Sequence, residues 1–205
     1  MIAAFITCLL SAAGIGAGLY FFHSGWTAIL LYHGVLAGAL TLQKPRWEGA
    51  HTILRGYNTA AAVVLVLLSA GFGWAFYMFI HRLDPEGVHV LRRVSHSGLT
   101  ISGLALFAVY VSVVNPVLEE LYWRRNYAAP HGVVFDGFYA LLHLPIFCFF
   151  GNFTPLQLFL PVGGLVLAGS LWRGVARRRN GLASAILGHA SGDLAVMVAI
   201  GLLLR

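Results

Sequence analysis

Long runs of apolar residues, separated by short polar stretches, dominate the chain. A helix needs about 20 apolar residues to cross the hydrocarbon core of a bilayer, and seven runs come close to that length. We therefore predict an all-α fold, a polytopic membrane helical bundle of about seven transmembrane helices. The predicted spans cover residues 2–20, 26–42, 59–80, 98–118, 133–150, 153–172 and 182–204.

The longest polar stretch, residues 81–97, predicts a short helix near 84–96 that lies in the membrane interface. Asp84 followed by Pro85 has the form of a helix N-cap and a first helical residue. The apolar residues that follow at helical spacing are Val88, Leu91 and Val94, with Arg92 and Arg93 on other faces.

The composition excludes most soluble classes of protein. Hydrophobic residues make up 59% of the chain and charged residues 10%, whereas a soluble domain carries about 25% charged residues to cover its surface. Such a sequence does not fit a disordered chain, a disulfide-bonded scaffold or a secreted enzyme. It predicts a single membrane-embedded domain over residues 1–205, with the lipid bilayer as a partner.

The net charge of +6 arises from 13 Lys and Arg against 7 Asp and Glu. Positively charged loops on the cytoplasmic side of a membrane give the same excess, so we expect no nucleic-acid partner. Seven spans would place nine basic residues on the face of the N-terminus and four on the opposite face. This asymmetry predicts a cytoplasmic N-terminus, and we expect the membrane to be a bacterial inner membrane.

Ionisable residues in or beside the spans are the candidates for chemistry, because an Asp, Lys or Arg at mid-bilayer costs about 2.5 to 3.5 kcal/mol. On a helix, Glu120 and Arg124 are four residues apart and can form an ion pair. Glu119 is rotated by about 100° and aligns with Asn115. We expect Glu120 and Arg124 to support the structure and Glu119 to act, the alternative being a solvated helix end. Asp136, near a predicted span start, could also be solvated.

Two histidines lie inside predicted spans. His143 is well within the fifth span, where a lone histidine either packs through a hydrogen bond or takes part in chemistry. His189 and Asp193 are four residues apart on one helical face. In such a pair the carboxylate can orient the imidazole, the two groups can bind a cation, or they can simply hydrogen-bond to each other. The alternation of spans places Glu119, His143 and His189 in the same half of the bundle.

A carboxylate and two imidazoles that converge in this way form a hydrolytic constellation. Glu and His can share a water as general base, while a second His donates hydrogen bonds to the developing oxyanion. This mechanism needs no cofactor. The same groups could instead hold a divalent metal such as zinc, with Glu119, His143 and His189 as its ligands, to activate the water.

Three motifs resemble those of a known family, the CAAX-processing and bacteriocin-processing (CPBP or Abi) membrane proteases. Glu119-Glu120-x-x-x-Arg124 resembles the EExxxR motif of this family, and Tyr139-x-x-x-His143 resembles its FxxxH motif with Tyr in place of Phe. His189-x-x-x-Asp193 is similar to its third motif, HxxxN or HxxxD. The resemblance covers about residues 98–200, the expected catalytic core, and leaves residues 1–80 as accessory transmembrane helices.

The resemblance implies an intramembrane endopeptidase, similar to type II CAAX prenyl endopeptidases, with a cavity that opens to one membrane face, here the cytoplasmic one. It implies that Glu119 and His143 activate the nucleophilic water and that His189 and Asp193 form the oxyanion-binding pair. By the same analogy Glu120 and Arg124 hold the site together. Many members have Asn where this chain has Asp193, and an ionised Asp donates no hydrogen bond.

Two other functions stay open at this stage. A membrane haem protein could use the nine histidines, with His33 paired to His143 or His189, although the glutamate pair and Arg124 would then have no role. A catalytically inactive family member could act as a scaffold or an immunity protein. We predict the peptidase, which hydrolyses a peptide bond of a membrane-associated protein or peptide.

Overall fold

The computed structural model describes residues 1–42, 55–125, 132–151, 153–179 and 181–204. Within these ranges the fold is an all-α bundle without strands. The helices are α1 (Ile2–Gly16), α2 (Gly25–Leu42), α3 (Thr59–Leu83), α4 (Val88–His96), α5 (Ile101–Glu119), α6 (Gly132–Leu141), α7 (Leu144–Phe150), α8 (Pro155–Arg179) and α9 (Ala183–Leu203). The predicted fold class is confirmed.

Seven helical segments of the described chain are long and apolar enough to cross a bilayer. They match the predicted spans in number and order, and they identify an integral membrane protein. Two of them include a π-helical turn, Ala17–Phe21 after α1 and Glu120–Arg125 after α5. The segments are Ile2–Phe21, Gly25–Leu42, Thr59–Leu83, Ser102–Trp123, Gly132–Phe150, Pro155–Arg179 and Ala183–Leu203.

The short helix α4 begins later than predicted. Asp84 still ends α3, because its backbone N–H donates to the carbonyl of Ile80 (2.8 Å). Gly87 then turns the chain with a left-handed φ of 64°, which favours glycine. Val90 and Val94 are buried against the bundle, whereas Val88 and Leu91 are each 49% exposed. Of the three apolar residues at helical spacing, only Val94 therefore packs into the bundle.

Asp84 nevertheless caps α4 from a distance. Its side-chain Oδ2 accepts a hydrogen bond from the backbone N–H of Val90 (3.0 Å), one of the amides that the first turn of a helix leaves without an intrahelical partner. The predicted capping residue was thus correct, although the helix starts at Val88 and not next to Asp84.

The fifth predicted span is interrupted. α6 ends at Leu141 and α7 begins at Leu144, so His143 lies at the break and not inside a continuous helix. Pro145 explains the break, because proline lacks the N–H that would continue the ladder and its ring clashes with the preceding turn. The backbone N–H of His143 donates to Ala140 (3.2 Å), three residues back, as the helix tightens before it ends.

Helices α3 and α9 approach each other closely through small residues. A Cβ added at Gly73 would lie 2.3 Å from Ala195 Cβ, and one added at Gly188 would lie 2.7 Å from Leu65 Cβ. Ser69 Oγ also donates to the carbonyl of Gly188 (2.7 Å). Small residues and interhelical hydrogen bonds stabilise helix pairs in lipid, where burial of apolar surface contributes little.

An ion pair between Asp136 on α6 and Arg173 on α8 fastens these two helices together. Both Arg173 Nε (3.1 Å) and Ser170 Oγ (2.8 Å) donate to Asp136 Oδ2. The Asp136 side chain is 4% exposed. The expectation that Asp136 is solvated was therefore wrong; it is buried because α8 supplies its cation.

We expect Arg173→Ala to destabilise the protein by about 3 kcal/mol, because it leaves the Asp136 carboxylate buried without its cation. Thermal unfolding in detergent micelles, followed by tryptophan fluorescence, measures the change. Arg177→Ala is the matched control, since Arg177 is an exposed arginine on the same helix. Equal melting temperatures for the two variants would contradict this prediction.

Candidate active site

The centre of the candidate site is His189, a completely buried imidazole on α9. Its Nδ1 lies 3.0 Å from Glu120 Oε1, and its Nε2 lies 3.2 Å from Glu119 Oε2. Both glutamates are also completely buried. Asp193, one helical turn beyond His189, places its Oδ1 3.6 Å from the same Nε2. The structure therefore joins residues 119, 120, 189 and 193 in one cluster.

The side chains of Glu119 and Glu120 point in different directions from the helix, and both reach His189 because the imidazole lies between them. Successive side chains of a helix point about 100° apart, and His189 meets one glutamate with each ring nitrogen. The helix changes into its π-helical turn at Glu120, and Pro116 interrupts the hydrogen-bond ladder one turn before Glu119. Such irregular turns are frequent at functional sites.

Glu120 supports the site through His189, which the sequence analysis did not foresee. Its predicted ion pair with Arg124 stays a prediction, because the Arg124 side chain lies outside the described residues.

Three aromatic side chains hold the cluster; the sequence indicated only Tyr139, as a motif position, and gave neither Tyr32 nor Trp172 a role in the site. Tyr32 on α2 donates a short hydrogen bond to Glu119 Oε1 (2.6 Å). Trp172 stacks on His189, with ring centroids 4.2 Å apart and planes 12° apart. The Tyr139 hydroxyl lies 3.2 Å from His189 Nε2. Tyr32 comes from the segment that we expected to be accessory.

His143 lies on the wall of the same cavity as Glu119, Tyr139 and Asp193. Its Nδ1–H donates to the carbonyl of Tyr139 (2.8 Å), which the backbone N–H of His143 does not reach because the helix ends there. In the neutral ring this hydrogen bond fixes the proton on Nδ1 and leaves the lone pair on Nε2. A histidine in that form can accept a proton from water.

A third histidine, His33, belongs to a chain of hydrogen bonds that leads to Asp193. Its Nδ1 lies 2.9 Å from the Tyr110 hydroxyl, and its Nε2 lies 3.1 Å from Asn115 Oδ1. Asn115 Nδ2 in turn donates to Asp193 Oδ2 (3.0 Å). Both ring nitrogens of His33 are thus directed at protein groups, which argues against its role as a haem ligand.

The cluster lies at one end of an elongated cavity of about 410 Å³, whose wall includes Glu119 and Asp193. The cavity follows one face of α5 for four turns, touching Leu104, Phe107, Val111, Asn115 and Glu119. At its far end it reaches the buried face of α4. Its walls are apolar except near the carboxylates, so the space suits an apolar chain whose polar part lies beside Glu119.

The ligand set predicted for a metal does not come together in full. Glu119 Oε2 and His189 Nε2 are 3.2 Å apart. A hydrogen bond between the two groups and their binding to one zinc ion would both place these atoms close together. Among the residues that the structure describes, no three His, Cys, Asp or Glu side chains form a metal-binding group. We therefore derive no step through a metal.

Fold and site together define a polytopic membrane protein with a buried carboxylate–imidazole cluster at the end of an apolar cavity. A comparison with protein-family models, curated proteins and solved structures finds no match to the chain. The motifs and this geometry are therefore what indicates a function.

We expect Tyr32→Phe to lower the stability of the protein by about 2 kcal/mol, because a hydrogen bond to a buried carboxylate is lost. Thermal unfolding in detergent micelles measures this loss. Tyr57→Phe removes an exposed hydroxyl and serves as control. A Tyr32→Phe variant that melts with the control would show that the 2.6 Å contact contributes nothing.

Proposed function

We propose that the protein is an intramembrane endopeptidase of the CAAX-processing and bacteriocin-processing type. The observation that carries this proposal is the convergence of Glu119, Glu120 and Asp193 within 3.6 Å of the His189 ring nitrogens, at one end of an apolar cavity. Buried carboxylates beside an imidazole, with room for a substrate next to them, are typical of acid–base hydrolysis. Two of the three family-like motifs contribute these four residues, and the other motif contributes Tyr139 and His143.

In the proposed reaction, Glu119 removes a proton from a water molecule while the water oxygen attacks the carbonyl carbon of the peptide. A carboxylate has about four lone-pair sites, so Glu119 can accept this proton while Tyr32 and His189 hold it in place. His143 shares the water through the lone pair of Nε2. The π electrons of the carbonyl group move onto its oxygen, which becomes an oxyanion.

The tetrahedral intermediate then collapses. The carbonyl double bond forms again, the C–N bond breaks, and the proton held by Glu119 passes to the departing amine. The products are a carboxylic acid, which then releases its proton to become a carboxylate, and an amine, so no other reactant is needed. His189 is held between carboxylates that only accept hydrogen bonds, and as an imidazolium it would stabilise negative charge near Glu119. Glu120 orients the ring from its other side.

The apolar walls of the cavity favour a membrane-associated protein or peptide as substrate. We further propose that the membrane is a bacterial inner membrane and that the N-terminus is cytoplasmic, as the asymmetry of basic loops indicates. In that orientation the cluster lies in the cytoplasmic half of the bundle and is entered from the cytoplasm. The apolar length of the cavity extends toward the opposite half.

The direct test is hydrolysis by the purified full-length protein in liposomes. The probe is a library of randomised peptides that carry an N-terminal acyl chain, incubated in water enriched in ¹⁸O and analysed by mass spectrometry. We expect new peptide C-termini that contain ¹⁸O from the attacking water. A Glu86→Gln variant should give the same products, because Glu86 is exposed and distant along the chain from the motifs.

The outcome separates the peptidase from a non-catalytic scaffold or immunity protein. If no library peptide is cut by the wild type beyond the level seen with a Glu119→Gln variant, the peptidase is wrong. Should Glu119→Gln then also keep the biological activity of the protein in cells, the scaffold would be the better description.

A further inference from the structure

The hydrogen bonds around Asn115 have only one consistent direction. Ionised Asp193 can only accept, so the atom of Asn115 that faces it must be the amide nitrogen Nδ2. The amide oxygen then faces His33 Nε2, which must carry a proton. Neutral His33 accepts at Nδ1 from the Tyr110 hydroxyl. The chain therefore runs from Tyr110 through His33 and Asn115 to Asp193.

Asn115 lies on the wall of the cavity, one helical turn before Glu119 on the same face of α5. Its Nδ2 carries two hydrogens, and the hydrogen bond to Asp193 uses one of them. The side chain is buried, with only 6% of the residue exposed. A second amide N–H is thus held in place beside the carboxylate that would activate water.

Peptide hydrolysis needs such a donor, because the carbonyl oxygen becomes negatively charged in the transition state. Asp193 cannot meet this need as an ionised carboxylate. Its contact with Asn115 shows instead what it does: it accepts one N–H and so fixes the plane of the amide, while His33 fixes the amide oxygen from the other side.

We infer that Asn115 is a catalytic residue whose second N–H hydrogen-bonds the carbonyl oxygen of the scissile peptide as it becomes an oxyanion. His33 and Asp193 are positioning residues that hold the amide for this purpose. The inference rests on the proposed peptidase function and names a residue that none of the three motifs contains.

The first test is the kinetics of Asn115→Ala on a peptide that the wild type cuts. We expect kcat to fall about 10² to 10³-fold, the usual effect of removing one oxyanion donor, and KM to change less than threefold. Replacing the scissile amide by a thioamide gives a readout that a merely structural role would not move. Sulfur is a weak hydrogen-bond acceptor, so the wild type should have a higher kcat for the amide than for the thioamide. In Asn115→Ala the ratio of these two kcat values should be about tenfold smaller.

A reciprocal exchange tests the same point in a protein that keeps its polar pair. Asn115→Asp alone would place two carboxylates side by side and abolish hydrolysis. Adding Asp193→Asn removes this repulsion, because the new amide on α9 can donate to the carboxylate at position 115. We expect the double variant to regain the lost stability but not the lost kcat, since position 115 then offers no N–H to the oxyanion. A double variant with a kcat within tenfold of the wild type would overturn the assignment.

His33→Phe tests the positioning role. It should lower kcat in the same direction as Asn115→Ala, and combining the two changes should add little, because both act through one hydrogen bond. Fully additive losses would show that His33 acts elsewhere.

Failure of this inference differs from failure of the peptidase. If the wild type cuts peptides, Glu119→Gln does not, and Asn115→Ala keeps its kcat within threefold, only the role of Asn115 is wrong. If the wild type cuts nothing, both are wrong.

Discussion

A Glu119→Gln variant will hydrolyse peptides at about one thousandth of the wild-type rate or less while it stays folded. The amide of glutamine cannot take the proton of the attacking water, and loss of a general base costs about 10² to 10⁴ in rate. Glutamine has nearly the same shape and keeps an oxygen that can accept the hydrogen bond from Tyr32. The measurement is kcat/KM on a peptide selected from the library, together with the melting temperature.

The neighbouring residue supplies the matched control. Glu120→Gln changes an equally buried glutamate that contacts the same imidazole on its other nitrogen. We expect a smaller loss of rate, about tenfold, because Glu120 orients His189 and does not take the proton. If the two variants lost the same activity, the assignment of the base to Glu119 would be wrong.

His189→Gln will combine a loss of activity with the largest loss of stability in the site. The imidazole is the group that the carboxylates of residues 119, 120 and 193 share, and it also stacks on Trp172. Without the ring these carboxylates face one another in a buried site, which costs about 3 kcal/mol. We expect hydrolysis to fall at least about 10³-fold. Unfolding in detergent and peptide hydrolysis measure the two effects.

A second substitution separates the two effects. In the double variant His189→Gln with Glu120→Gln, one of the buried negative charges is gone, so part of the lost stability should return. Activity should not return, because the imidazole is still missing. His81→Gln, at the exposed end of α3, is the control for a histidine change elsewhere. Recovery of hydrolysis in the double variant would show that His189 is only structural.

The helices could be predicted from the sequence because lipid imposes a simple rule. A chain in the hydrocarbon core must satisfy its backbone within each helix, so apolar length alone placed seven spans within seven residues of their observed ends, 172 against Arg179 being the largest difference. Details that depend on neighbouring helices were not predictable in this way. The buried face of α4 is set by packing against the bundle, and the helical spacing of the apolar residues alone did not indicate that Val90 is buried there.

Local spacing also explains which site contacts could be foreseen. His189 and Asp193 share a helical face, and the sequence alone indicates this. The meeting of Glu119 with His189 depends on how α5 packs against α9, so the motifs could predict only that both lie in one half of the bundle. Tyr32 and Trp172 left no signal, because a buried aromatic residue that donates or stacks has the same sequence context as one that merely packs.

The hydrogen bond from Tyr32 to Glu119 links the second transmembrane segment to the fourth, and His189 completes the cluster from the last. These residues leave the ribosome in the order 32, 119 and 189, so a partly synthesised chain holds the two buried glutamates without the imidazole that they share. The site would therefore be complete only once the helix that carries His189 is inserted. Under the proposed function, neighbouring nascent proteins at the same insertion machinery would not meet a complete site before that point.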